Sequence, residues 1–187
     1  MQKTNTLRPL RLFSGLVALL LCLTGCSGGS AGSSYSEASY AQSLYNSRVA
    51  SVEDSAGMNS LFSQLGIESR MGSFTTELEK REDASNTLTL KFQQVPEDTN
   101  VFQDQFEYYA VLILALVGDC GQVRGTCPSA DGSDSRSMEW DLKQASDRLN
   151  LDVASSGRSA DGIATLLDTI RSAHGDNANF AALYEDA

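Results

Sequence analysis

The chain is 187 residues long and 41% hydrophobic, and it carries 24 Asp and Glu against 14 Lys and Arg, a net charge of −10 with histidine neutral. That length suffices for one domain with a real core. The negative balance excludes nucleic acid, whose phosphates such a surface repels, and leaves basic proteins and cations as partners.

The chain opens with Lys3, Arg8 and Arg11 and no acidic residue, followed by the apolar run Leu16-Val17-Ala18-Leu19-Leu20-Leu21-Cys22-Leu23. This run is far short of the roughly 20 residues a spanning helix needs. A basic start, a short apolar centre and a small-residue exit are the parts of a secretory signal. The exit, Leu23-Thr24-Gly25-Cys26, resembles the lipobox of bacterial lipoproteins, in which the cysteine takes a diacylglyceryl group on sulfur before cleavage in front of it. The resemblance covers residues 1–26. It implies a signal peptide over 1–25, a lipid-bearing, palmitate-type Cys26, and attachment to a membrane facing the periplasm of the cell envelope. Ser27, where an aspartate would mark inner-membrane retention, implies the outer membrane. Each buried methylene is worth about 0.8 kcal/mol, so two or more chains hold where one is marginal. Cleavage would remove three positive charges and leave 162 residues with 11 Lys and Arg against 24 Asp and Glu, a net of −13. Residues 26–36 read as the lipidated cysteine and a flexible Ser/Gly tether, and residues 37–187 as a single acidic domain.

Within that domain, helical spacing runs through Tyr40 and Leu44, through Ala41, Tyr45, Val49 and Val52, and through Met58, Leu61, Phe62 and Leu65, with Gly66 as a stop. The period then changes. Phe74, Thr76 and Leu78 alternate with polar neighbours, as do Leu88, Leu90 and Phe92, and the turn-prone Glu82-Asp83-Ala84-Ser85-Asn86 lies between. This predicts a β-hairpin, with a short helix over 73–81 as the competing reading. Two strands alone are marginal, so the hairpin must pack on helices or pair with something else. After Pro96, one of Asp98, Thr99 or Asn100 caps a buried helix. Its Phe102, Phe106, Tyr109, Ile113 and Leu116 share a face that Val111, Leu112, Leu114 and Val117 widen, and it ends at Gly118. Met138, Leu142, Ala145 and Leu149 form another helical stripe, capped by Asp134 or Ser135, with Trp140 as a core filler. Ile163, Leu166, Leu167 and Ile170 form the next, capped near Ser159 or Asp161 and stopped by Gly175. A short last helix from Asp176 would bury Phe180, Leu183 and Tyr184.

The expected fold class is therefore mainly α (an α-rich α+β): a small helical domain of five or six helices, one β-hairpin and one disulfide-closed loop. The loop comes from the cysteines. Cys22 and Cys26 belong to the signal and anchor, which leaves Cys120 and Cys127. Export into an oxidising compartment makes a disulfide the expectation. The glycines and proline of 118–128 would permit closure of the short loop, at a gain of about 2.5 kcal/mol.

Little catalytic chemistry is visible. His174 is the only histidine, and its place near a helix end suits the carboxyl-terminal dipole. Asp119-Cys120-Gly121, with His174 downstream, resembles the start of the active site in NlpC-type cysteine peptidases, which cut cell-wall peptides; the resemblance implies Cys120 as nucleophile and His174 as base. A serine is missing after the cysteine, a second cysteine follows, and His174 falls on a helix where that family uses a strand. A disulfide-bonded thiol also cannot attack. No Gly-x-Ser-x-Gly elbow, phosphate loop or dinucleotide fingerprint occurs. Asp131-Gly132-Ser133-Asp134-Ser135 offers oxygen atoms without the order of a calcium loop and reads as a turn and cap. No catalytic residue, cofactor or metal is expected. The reading that remains is a membrane-anchored envelope lipoprotein acting as a non-enzymatic interaction or assembly module on an envelope protein partner. Its expected contact surfaces are a sheet edge at 87–93 and the 118–128 loop. A periplasmic hydrolase or wall-modifying enzyme with an unrecognised site is the alternative, and a small-ligand or cation-binding lipoprotein the second.

Overall fold

The computed structural model describes residues 37–81, 85–129 and 135–174, all within the compact unit Tyr35–Ala187. The signal, Cys26, the tether, residues 131–134 and the helix expected from Asp176 lie outside the described residues.

Three helices lead: α1 (Glu37–Asn46), α2 (Ser55–Leu65) and α3 (Ile67–Met71). Asp54 caps α2 by accepting the Gly57 N–H at 3.0 Å. The predicted stop at Gly66 is real: its φ of 67° is a conformation that a β-carbon disfavours. The predicted hairpin follows as β1 (Phe74–Glu79) and β2 (Asn86–Phe92), antiparallel, with Phe74 opposite Phe92 and Leu78 opposite Leu88. Asp98 then caps α4 (Thr99–Leu116), accepting the N–H groups of Asn100 at 2.8 Å and Val101 at 3.3 Å.

Beyond α4 the structure departs from the expectation. The segment expected as a disulfide-closed loop is a strand, β3 (Cys120–Cys127), parallel to β2, with α4 as the crossover. The first part of the helix expected through Met138 is a second strand, β4 (Arg136–Asp141), antiparallel to β3. Only then does α5 (Leu142–Leu149) begin, with Asp141 and Gln144 forming a reciprocal capping box. It is followed by α6 (Val153–Ser156) and α7 (Ala160–His174), where Ser159 Oγ accepts the Gly162 N–H at 3.0 Å. The mainly α class with a single hairpin is thus corrected to α+β, with a four-stranded mixed sheet ordered β1-β2-β3-β4. The hairpin, marginal alone, is stabilised by two further strands.

The disulfide is corrected with it. Seven steps of extended strand put the Cα atoms of Cys120 and Cys127 roughly 23 Å apart, whereas a disulfide needs about 4.4–6.8 Å. Both are free thiols, each 2% exposed.

The sheet register sorts residues cleanly. Thr75, Glu77 and Glu79 of β1, Thr87, Thr89 and Lys91 of β2, Gln122, Arg124 and Thr126 of β3, and Ser137, Glu139 and Asp141 of β4 share one face, and every one is polar. Arg124 pairs there with Glu139 at 3.0 Å, and Lys91 pairs with Glu77. The opposite face carries Leu88, Leu90, Phe92, Val123, Met138 and Trp140 and packs on α4. Trp140, half-buried, does join the core, but from a strand. Helix α4 is buried nearly all round, with Phe106, Leu112 and Ile113 fully enclosed, as befits a helix apolar on every side. Helices α1 and α7 pack together.

Candidate functional site

The peptidase resemblance pairs Cys120 with His174, and the fold holds them apart. His174, the last residue of α7, is 6% exposed at its side chain, and its Nε2 lies 3.4 Å from Oε1 of Glu107. Arg148 approaches the same carboxylate at 3.6 Å. Glu107 precedes the end of α4 by nine residues, roughly 14 Å of helix axis, and Cys120 lies beyond that end. The contact with Glu107 is a structural use for the histidine.

Asp119 has a structural use as well. Its carboxylate accepts Ser51 Oγ at 2.7 Å, the Val52 N–H at 2.8 Å and Asn86 Nδ2 at 3.1 Å, while its carbonyl accepts the Asn86 N–H at 3.0 Å. It ties the α1–α2 connection and the start of β2 to the end of α4. Its neighbour Cys120 donates Sγ–H to the Gln122 carbonyl at 3.4 Å. Burial pushes this thiol up to about 12, with the Asp119 charge adding to the rise and hydrogen bonds opposing it. At pH 8 its thiolate fraction is therefore on the order of 10⁻⁴, too small for a nucleophile.

These observations predict that neither cysteine is alkylated in the native protein, that two additional thiols react once it is unfolded without reductant, and that reductant leaves Tm unchanged. A Tm that falls by several degrees on reduction would contradict the strand. The sign of the alkaline response also follows. The thiol ionises near 9.0 when released and about 12 in the fold. The stability linked to keeping it neutral is full below pH 9 and is lost as pH rises towards 12. Tyr40, raised by burial from 10.0, acts in the same direction. Chemical denaturation at pH 8 and pH 10.5 should show the loss, and Cys120→Ala should lessen it.

The contact surfaces expected from the sequence need the same correction. The segment 87–93 is mostly β2, flanked by β1 and β3, and 118–128 is mostly β3, flanked by β2 and β4, so neither is an edge. The edge next to the predicted pair is β1. Gln93 N–H donates to the Ser73 carbonyl at 3.0 Å. Antiparallel alternation then directs the backbone groups of Thr75, Glu77 and Glu79 towards β2 and those of Phe74, Thr76 and Leu78 outward. Among the described residues no strand pairs with that outer side, and the five residues from Thr75 to Glu79 are exposed.

A groove of about 900 Å³ runs beside the first half of this edge, lined by Phe62 and Ser63 of α2, Glu68 and Ser69 of α3, and Phe74 and Thr76 of β1. Its aromatic floor is anchored in the core. Phe62 meets Phe74 edge-on at 5.4 Å, Phe74 meets Phe92 at 5.5 Å, and Phe92 meets Phe102 edge-on at 5.0 Å. Such offset and edge-to-face pairs each add about 0.5–1.5 kcal/mol to simple burial, so the groove wall is a rigid one. The alternation at 74–78 is visible in the sequence; that β1 is the strand left at the margin depends on β3 and β4.

Among the described residues no group of three or more His, Cys, Asp and Glu is placed to hold a metal ion, and no helix is long and apolar enough to cross a membrane. Compared with protein-family models, with curated proteins and with solved structures, the chain matches none of them.

Proposed function

We propose that this is a lipid-anchored protein of the bacterial cell envelope, attached through Cys26 to the outer membrane. Its folded domain is a non-enzymatic interaction module that receives an extended, basic segment of an envelope protein along the outer edge of β1. The observation that carries the reading is an edge that no strand among the described residues pairs with, beside a preformed groove. Added strands gain main-chain hydrogen bonds from the edge and specificity from a groove that takes alternate side chains. The groove offers Phe62 and Phe74 for an apolar side chain. Glu68 sets an acidic charge in it, in a chain that is acidic overall. The anchor rests on residues 1–26 alone. Burial of the Cys120 thiol and the distant engagement of His174 weigh against the hydrolase alternative.

The test uses the outward N–H of Thr76. Proline is tolerated on an edge strand where its missing N–H faced solvent, so Thr76→Pro should leave the β1–β2 ladder paired and lower Tm by no more than a few degrees. A photo-crosslinker at Leu78, 37% exposed, should trap in living cells one envelope protein through a single basic segment. Thr76→Pro should remove that product, and Cys26→Ser should remove palmitate labelling. A crosslink that persists in a folded Thr76→Pro protein overturns the edge as the site. Palmitate labelling that survives Cys26→Ser overturns the anchor independently.

A further inference from the structure

A second concavity lies at the opposite end of α4 from the start of the chain's long crossover, and its chemistry runs against the rest of the molecule. It has a volume of about 460 Å³, within the usual range for small-molecule pockets. Its walls are apolar, with Val49, Leu116, Leu142 and Ala154, and its charged side chains are Arg48 and Arg158. Among the described residues no acidic one lines it, in a chain where acids outnumber bases 24 to 14.

Arg48 is held in place. Its Nε donates to the Tyr45 carbonyl at 2.9 Å, its Nη1 reaches the Gly157 carbonyl at 3.5 Å, and its guanidinium carbon sits 3.6 Å from the centroid of the Tyr45 ring. None of these partners is a carboxylate. By contrast Arg124, Arg148 and Arg171 each pair with one. The contact with Gly157 brings Arg48 beside the residue that precedes Arg158. Stacking on an aromatic ring holds the planar guanidinium while leaving donors for a further partner.

The end of α4 would oppose an anion through its dipole. Three carbonyls at that end are already engaged, however: Ile113 by the Val117 N–H at 3.0 Å, Leu116 by the Val49 N–H at 3.0 Å, and Val117 by the Cys120 N–H at 3.3 Å. Gly157 closes over the Ala115 carbonyl. Among the described residues the two guanidinium groups are the charged side chains that line the cleft, and Asp152, close enough to interact with Arg158, is not in its lining.

We propose that this cleft binds a small amphiphilic phosphate, with the phosphate group between Arg48 and Arg158 and an apolar portion along Leu142 and Ala154. The site is independent of the β1 edge. The probe is hexyl phosphate, titrated calorimetrically into the purified protein, with inorganic phosphate and hexylammonium titrated into it as controls. Hexyl phosphate should bind saturably at one site, hexylammonium should not bind, and inorganic phosphate should bind at least about tenfold more weakly. Arg48→Ala and Arg158→Ala should each weaken hexyl phosphate about tenfold or more, and together remove it. Arg48 also holds the end of α1, so the exposed Arg158→Ala, at unchanged Tm, is the decisive variant. Sedimentation with phosphatidylglycerol vesicles, lost in the double variant, would assign the phosphate to a lipid headgroup; calorimetric binding without sedimentation would assign it to a soluble ester. Absence of saturable hexyl phosphate binding, or binding unchanged by Arg158→Ala, overturns the proposal.

Discussion

Gly157→Ala should lower Tm by about 10 °C or more, although alanine normally improves a residue in helical conformation. The backbone here is ordinary for any residue, with φ −69° and ψ −4°, and a glycine-to-alanine change at a compatible conformation usually stabilises by about 0.4–1 kcal/mol. What forbids it is space. A Cβ at this position would lie 1.7 Å from the Ala115 carbonyl oxygen and 2.6 Å from its carbon. These are main-chain atoms of the last turn of α4, the most buried helix of the fold, so no side-chain rotation relieves the overlap. Either α6 and the start of α7 lift away from α4 or α4 bends, and each opens the contacts around Val153 and Ile163, both fully buried. Overpacking typically costs about 1–3 kcal/mol and occasionally more; a main-chain overlap this close belongs at or above the upper end, which in a domain of this size is roughly 10 °C. Ala115→Gly should give no rescue, because the obstructing atom belongs to the backbone. Thermal denaturation of the single and double variants checks both statements.

How far the fold can be read from the chain differs by segment, for identifiable reasons. Helices α2, α4 and α7 are legible because their apolar spacing is unbroken and their ends carry Gly66, Asp98 and Ser159, residues whose side chains or torsions do the capping. The β1–β2 hairpin is legible from alternation. Strand β4 is hidden by coincidence: Met138 and Trp140 alternate towards the core as a strand, yet Met138 also falls at helical distance from Leu142, Ala145 and Leu149. One sequence satisfies both periods, and only the partner strand decides. Strand β3 is hidden by its glycines and by its cysteines. Expected export suggested a bridge, and a bridge suggested a loop; the pairing of β3 between β2 and β4 removes both steps at once. Dependence on distant pairing also explains the misplaced contact surface, since the edge of a sheet is a property of the whole strand order. Arg48 gave no signal of its own, because its setting is made by Tyr45 and by Gly157, 109 residues away.

Gly125 shows what that hidden strand is built to do, and it should respond to substitution in a way that Gly157 does not. It lies on the core face of β3, opposite Leu90 on one side and Met138 on the other. Glycine within a strand often marks a close approach by another element. Here a Cβ would lie 2.5, 2.8 and 2.9 Å from three atoms of the Phe106 ring. The ring of α4 thus occupies the space of the missing side chain, and the sheet and its central helix interlock at this residue. Gly125→Ala should cost about 2–4 kcal/mol, since Phe106 is fully buried and its ring is also packed edge-on against Phe92 at 6.5 Å. Phe106→Leu alone should cost about 1–2 kcal/mol by shrinking a core side chain. Together they should cost less than the sum by 1 kcal/mol or more, because the smaller residue vacates the volume that the new methyl fills. Urea denaturation of the four proteins of this cycle measures the coupling. Strict additivity would mean that the Phe106 ring does not fill the space at Gly125, and with it the packing of α4 on β3 would have to be abandoned.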